Sequence, residues 1–285
     1  MSKIQAFLLT TKKLPPASHK DDFGFVKEAL EKNNIEILEV TKLPQRSKAF
    51  VVISGSDLAG KEKFISNKLT VIKKIVMFIT SDEAGAFDAD KIDHPDIKIW
   101  RQYPYKKDSK FFKMALGAPM TMKSDIPEYA EKEKDIFFAG QITHQRRREL
   151  AETIESMGIK DYVPTPGFMQ GDPRSTYYQK MCRARVVPAP AGHPCIDSFR
   201  FYEALEMLAM PIGDTKDSNG VEFDIWNYIF KSKLPFPRTK NWSELPEILE
   251  KILSDYPNNM HQAVAWWIKY KRDFANKIME QINEP

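Results

Sequence analysis

Arg185-Val-Val-Pro-Ala-Pro-Ala-Gly192, followed after a polar loop by Ser198-Phe-Arg-Phe-Tyr-Glu-Ala-Leu-Glu-Met-Leu-Ala-Met-Pro-Ile-Gly213, decides how this chain folds. The β-branched pair Val186 and Val187 starts a strand, and Pro188 and Pro190 are expected to end it, since neither can donate to a ladder. Ser198 is suited to cap a helix running to about Ala209, with Phe201, Ala204, Leu205 and Leu208 as its apolar face. Met210 to Ile212 then forms the next buried strand. Strand, loop, helix and strand in this order make one unit of a parallel sheet.

Within that unit Arg200 and Glu203 stand three apart near the start of the helix. A helix N-terminus offers free N–H groups and positive potential, which suit a phosphate. A carboxylate one turn further in can accept hydrogen bonds from two vicinal hydroxyls, as a ribose presents them. The plain alternative is a surface ion pair on an amphipathic helix, which uses the same spacing. The pattern Ser198-Phe-Arg200-Phe-Tyr-Glu203-Ala-Leu, after a strand ending Pro-x-Pro-x-Gly and before a Pro-Ile strand, resembles the nucleotide-sugar site of exostosin-like (family 47) glycosyltransferases of the GT-B fold. The resemblance implies that Glu203 binds the nucleotide ribose.

A second stretch extends the likeness. Asp135-Ile-Phe-Phe-Ala-Gly140 ends a strand in glycine, Gln141 to His144 is a loop, and a helix carrying arginines follows. This is similar to the opening of the exostosin-like donor domain. There the resemblance gives Arg146 the role of neutralising the donor diphosphate, with Arg147 and Arg148 as rivals. The implied donor site is Gly140, Gln141, Arg146, Pro190, Gly192, Ser198, Arg200 and Glu203. The match runs from Asp135 to Gly213 and more loosely over Ile97 to Ala118.

A chain of 285 residues is long for one core, so two domains are expected. The resemblance divides it into an acceptor-side Rossmann-like domain (1–130), a donor-binding domain (131–257) and a C-terminal helix (258–285) crossing back to the first. Residues 1–128 hold 22 Lys+Arg against 17 Asp+Glu, and 129–285 hold 21 against 22. The positive excess of the first half allows an anionic partner. The two cysteines, Cys182 and Cys195, suggest no disulfide framework and point to the cytosol; the resemblance, whose eukaryotic members usually carry a membrane anchor, implies a bacterium or virus-infected host. No apolar run is long enough to span a membrane, and the five histidines show no zinc-ligand spacing.

The first half alternates strands (Lys3–Thr10, Ile35–Val40, Ala49–Ser54, Lys73–Thr80, Ile97 onward) with helices (Asp21–Lys32, Lys61–Leu69). That order predicts a doubly wound sheet with its ligands at the strands' carboxyl ends. A Gly-x-Gly-x-x-Gly after the first strand and a Gly-Lys-Ser/Thr phosphate loop are both missing, against a dinucleotide dehydrogenase or P-loop ATPase. Glycosyl transfer needs a base for the acceptor hydroxyl and cations for the departing diphosphate. Asp82 and Glu83, beyond the Ile75–Phe78 run, are candidate bases, as are His19 and Asp22 after the first strand. The expected result for Asp82→Asn is lost transfer with donor binding intact. Retaining relatives carry a second Glu eight residues before the ribose-binding one; Cys195 occupies that position and leans toward inversion.

Metal is not required by this reading, and a UDP-sugar is the favoured donor. Asp88 and Asp90, two apart, offer the alternative of a metal-dependent GT-A enzyme. A non-catalytic nucleic-acid or glycan-binding protein is the other alternative, using Tyr103 and Tyr105 among the lysines. The expected acceptor is an anionic polymer, either hydroxymethylated phage DNA or a bacterial glycan precursor.

Overall fold

The computed structural model describes residues 4–10, 21–104, 111–124, 130–159, 162–165 and 170–285. His19 and Tyr105 lie outside them. The chain divides into two compact units, Met1–Met120 with Lys269–Pro285, and Thr121–Ile268.

The first unit is a six-stranded parallel sheet in the order β2-β1-β3-β4-β5-β6. Its strands are β1 (Ala6–Leu9), β2 (Ile37–Val40), β3 (Arg46–Ser54), β4 (Ile72–Thr80), β5 (Ile97–Arg101) and β6 (Phe112–Lys113). Helices α1 (Gly24–Glu31), α2 (Gly55–Leu58) and α3 (Glu62–Leu69) lie between strands in the chain. The central strands β3 and β4 are continuous apolar runs, as a strand covered on both faces requires. On one face Phe7, Leu9, Val51, Ile53, Ile75, Met77 and Ile79 pack with Ile65 and Leu69 of α3. On the other, Phe274 packs on Phe25 at 4.7 Å, on Trp100 at 5.0 Å and on Phe78 at 6.2 Å. Helix α1 starts at Gly24 without a side-chain cap, later than the aspartates suggested, because the Asp22 carboxylate accepts the Tyr103 hydroxyl.

The named strands of the second unit also pair in parallel. β12 (Arg238–Thr239), β11 (Met210–Asp214), β10 (Ala184–Ala189) and β7 (Lys134–Ile136) form one sheet, and β8 (Phe138–Gln141) pairs with β9 (Tyr162–Thr165). Phe137 joins β7 to β8 and donates to Val186 O. Strand order therefore reverses between β7/β8 and β10, which makes their carboxyl ends the topological switch point. The helices are α4 (Gln145–Ser156), α5 (Arg174–Cys182), α6 (Phe199–Glu206), α7 (Ile225–Phe230) and α8 (Leu245–Ser254). The 26-residue α9 (Asn258–Asn283) follows; its residues to Ile268 belong to the second unit and those from Lys269 to the first.

Two prolines open the switch point. Val186 faces Ile136 in register, and its carbonyl takes the Phe137 N–H. A continued parallel ladder would next bring N–H donors from positions 188 and 190 to Phe137 O and Ala139 O. Both positions are proline, so β10 and β8 part there. The strand nevertheless runs through Pro188 to Ala189, because on its other edge it still pairs with β11, Pro188 opposite Ile212. Helix α6 stops at Glu206 instead of reaching Ala209, since Leu208 adopts a left-handed φ of 54°.

Candidate functional site

Most of the donor-site residues implied by the sequence gather at this opening. Glu203 is 7% exposed, and its two carboxylate oxygens accept from Tyr178 Oη at 2.9 Å and Tyr177 Oη at 3.1 Å. Burial pushes its carboxyl above the usual range, opposed by the Arg200 guanidinium and the two hydroxyls. Both tyrosine hydroxyls are themselves pushed up, by burial and by the carboxylate they face.

Arg200 projects from the first turn of α6 into the gap left by the prolines. Its Nη2 donates to Ala139 O at 2.7 Å, and its guanidinium lies 4.9 Å from the centre of the Phe138 ring. A Cβ at position 140 would come within 2.7 Å of that Nη2, so Gly140 leaves room for the guanidinium. Gly192 is pressed in the same way, 3.0 Å from Cys195 O and 3.3 Å from Asp197 O for an added Cβ. Ser198 occupies the N-cap position of α6, yet its hydroxyl makes no capping bond. Ser198 Oγ, Arg200 Nε and His144 Nδ1 are buried polar atoms with no hydrogen-bond partner among the described residues. His144 Nε2 bonds Ala191 O at 3.0 Å, so the neutral ring carries its proton there and leaves Nδ1 as an acceptor. Burial, then the neighbouring charge of Arg147, lowers His144 to about 4.

The arginines of α4 divide their work. Arg146, 2% exposed, points under the sheet, with Nη2 at 2.8 Å from Asp214 Oδ1 and Nη1 bonded to Glu149. Asp214, fully buried, also accepts from Ala191 N, Lys216 N and Trp242 Nε1. This ion pair ties α4 to the ends of β10 and β11. Arg147, one residue on, instead turns to the opening and donates to Ala191 O and Gln141 O, both at 3.3 Å. Burial and the charge of Arg200 pull its guanidinium down to about 10. Two cations, a carboxylate and the start of α6 thus converge on the ends of β8 and β10, suited to an anion with an adjoining diol.

In the first unit Asp82 is fully buried at the end of β4, 2.5 Å from Arg101 Nη2, and it accepts from the backbone of Ala86 and Phe87. It braces the loop that carries Glu83, which is exposed. Tyr103 Oη lies 3.2 Å from Asp22 Oδ1 and 3.4 Å from Glu83 Oε1, which share its one proton. Ser81 and Tyr103, the residues leaving adjacent strands, both hold left-handed φ angles of 52° and 47°. Asp88 caps the turn Ala89–Lys91 through Asp90 N and pairs with Lys91. Among the described residues no group of three His, Cys, Asp or Glu side chains could hold a metal ion, and no helix is long and apolar enough to cross a membrane.

A cavity of about 610 Å³ lies at the other end of the second sheet, lined by Lys132, Asp135, Arg185, Tyr256 and Met260. Its cations are engaged: Arg185 pairs with Asp135, and Lys132 donates to Met207 O. The donor-site residues take no part in it.

No family model matches this chain, and no curated protein does. Among solved structures it is similar to Anabaena Alr3699/HepE in complex with UDP, at 12% identity over 97% of this chain and 95% of that one, with a TM-score of 0.37. The same Anabaena protein in complex with UDP and glucose gives 10% identity over 96% and 95%, with a TM-score of 0.38. Likeness of this degree carries no residue or activity from one chain to the other.

Proposed function

We propose that the protein is a glycosyltransferase of GT-B type that takes its sugar from a nucleotide donor, UDP-linked in the first instance. One observation carries this reading: a buried carboxylate, Glu203, stands beside an arginine pair at the switch point of a parallel sheet, near polar atoms that lack partners among the described residues. Glu203 accepts the two ribose hydroxyls. Arg147, Arg200 and the start of α6 hold the diphosphate and stabilise it as it leaves, without a metal. His144 Nδ1 accepts from an N–H or hydroxyl of the sugar nucleotide. Arg146 is a positioning residue, fixed by Asp214.

The acceptor hydroxyl loses its proton to Glu83, with Tyr103 and Asp22 beside it, and attacks the anomeric carbon. The glycosidic bond forms as the bond to the diphosphate oxygen breaks, with inversion. Asp82 supports this loop through Arg101. An anionic polymer is the acceptor class that suits the lysine excess of the first half.

The test is nucleotide release from UDP-, GDP- and CMP-sugars, with calorimetric binding of the free nucleotides. Wild-type protein is expected to bind one nucleoside diphosphate, and Glu203→Ala to lose it. Undiminished binding by Glu203→Ala would remove the proposal.

A further inference from the structure

The outer face of α3 has no role in the donor site. Lys61, Phe64, Lys68 and Val71 follow one another at intervals of three, four and three residues, a single stripe along the helix and the turn after it. The buried side of α3 is Glu62, Ile65, Ser66 and Leu69, so the stripe faces outward. Phe64 is 48% exposed and Val71 37%.

The sheet prolongs this stripe. Leu38, 37% exposed, is the register partner of Phe7, which packs under α3. Register partners in a parallel sheet point to one face, so Leu38 lies on the α3 side of edge strand β2. Lys68 Nζ reaches Thr41 O at 3.3 Å and joins the helix to the end of β2. Lys73 is on the same face, two residues from Ile75 on β4. Three of the six exposed large apolar side chains among the described residues are therefore Leu38, Phe64 and Val71. Lys42, Lys61, Lys63, Lys68 and Lys73 accompany them, and none makes an ion pair among the described residues. Lys68 lies over the Phe64 ring at 4.7 Å.

We propose that this face of the first unit docks on an anionic lipid surface, with Phe64, Leu38 and Val71 entering the headgroup region and the lysines meeting lipid phosphates. Lysine stems can lie along apolar surface while their ammonium groups reach outward. Aromatic and aliphatic side chains ringed by lysine suit an interfacial layer. Leu38 and Val71 offer nothing on which a nucleobase could stack, and Arg46, whose N–H bonds Val71 O, turns its guanidinium to Gln5 and Gln45 O instead of offering a fork to phosphates.

The test uses the full chain in co-sedimentation with vesicles of phosphatidylcholine alone and of phosphatidylcholine with about one-third phosphatidylglycerol. Partition is expected onto the anionic vesicles only, weakening with salt. The pair Phe64→Glu and Lys68→Glu should lower it by at least about tenfold, as loss of one inserted ring and reversal of one charge imply. Phe112→Glu, at an exposed site on β6, should leave it unchanged. Far-UV circular dichroism checks that the variants stay folded. Equal partition onto neutral vesicles, no partition, or partition indifferent to the double substitution would overturn the proposal. So would binding of duplex DNA through these lysines without vesicle binding, or a Phe64-dependent dimer in light scattering.

Discussion

Arg200 Nη2 sits 2.7 Å from Ala139 O and makes the hydrogen bond that an N–H at position 190 would otherwise make from the neighbouring strand. A side chain has replaced a rung of the ladder. What holds Arg200 in place is thus the chemistry of the prolines on the strand against which its own helix packs.

Restoring the donors should therefore compete with Arg200. The double variant Pro188→Val, Pro190→Val is expected to lengthen the β8–β10 pairing, keep or raise thermal stability by about 1 kcal/mol per bond made, and weaken nucleoside diphosphate binding at least tenfold. Calorimetric titration beside a melting curve checks both.

Tyr178→Phe should cost about 1–3 kcal/mol in urea unfolding, because a buried carboxylate oxygen loses a donor. The pH dependence has a definite sign. Glu203 is raised in the folded protein, so its contribution is fully present below the unfolded carboxyl range and is lost as pH rises through the folded value. Tyr178→Phe should move that loss to higher pH, and Glu203→Gln should abolish it.

His144 works in the opposite direction. Its folded value is lowered from 6.5 to about 4, so stability is complete above about pH 6.5 and falls as the pH drops toward 4. The expected loss is on the order of 2 kcal/mol. Melting curves from pH 7 to 4 should show it in the wild type and flatten in His144→Gln.

Asp82→Asn leaves the Arg101 charge buried without its carboxylate. The expected outcome is destabilisation of about 3 kcal/mol or more, visible in urea before any effect on turnover can be read. Glu83→Gln, at an exposed position, should keep wild-type stability and nucleotide affinity while transfer falls by 100-fold or more, on the order of general-base catalysis. Single-turnover transfer against calorimetry separates the two.

Much of the α/β fold was legible. Runs such as Ile75–Phe78 announce strands buried on both faces, and Gly158, at φ 70°, closes its helix as glycine should. The proline pair was legible only as a strand end, because a missing N–H stops the ladder on one edge alone: β11, the next strand of the same unit, still pairs with β10 past Pro188 on the other. At the site, Arg200 and Glu203 stood out by spacing, but the tyrosines on Glu203 did not. Their signal was a hydroxyl on an inward position of α5, which must find a partner when buried. The α4 arginines could have been told apart: Arg146 shares a helix stripe with Leu150 and Ile154, all buried, whereas Arg147 stands a quarter-turn away.

The closing helix has a consequence for synthesis. Trp100 Nε1 bonds Gln281 Oε1 at 2.7 Å, and Phe274, Ile278 and Ile282 are buried in the first unit. Those residues follow the whole second unit in the chain, so the first sheet is translated well before the segment that covers its aromatic face and keeps that face bare until α9 has been made. A chain cut within α9 after Ile268 would keep every strand and still leave that face exposed to chaperones and proteases.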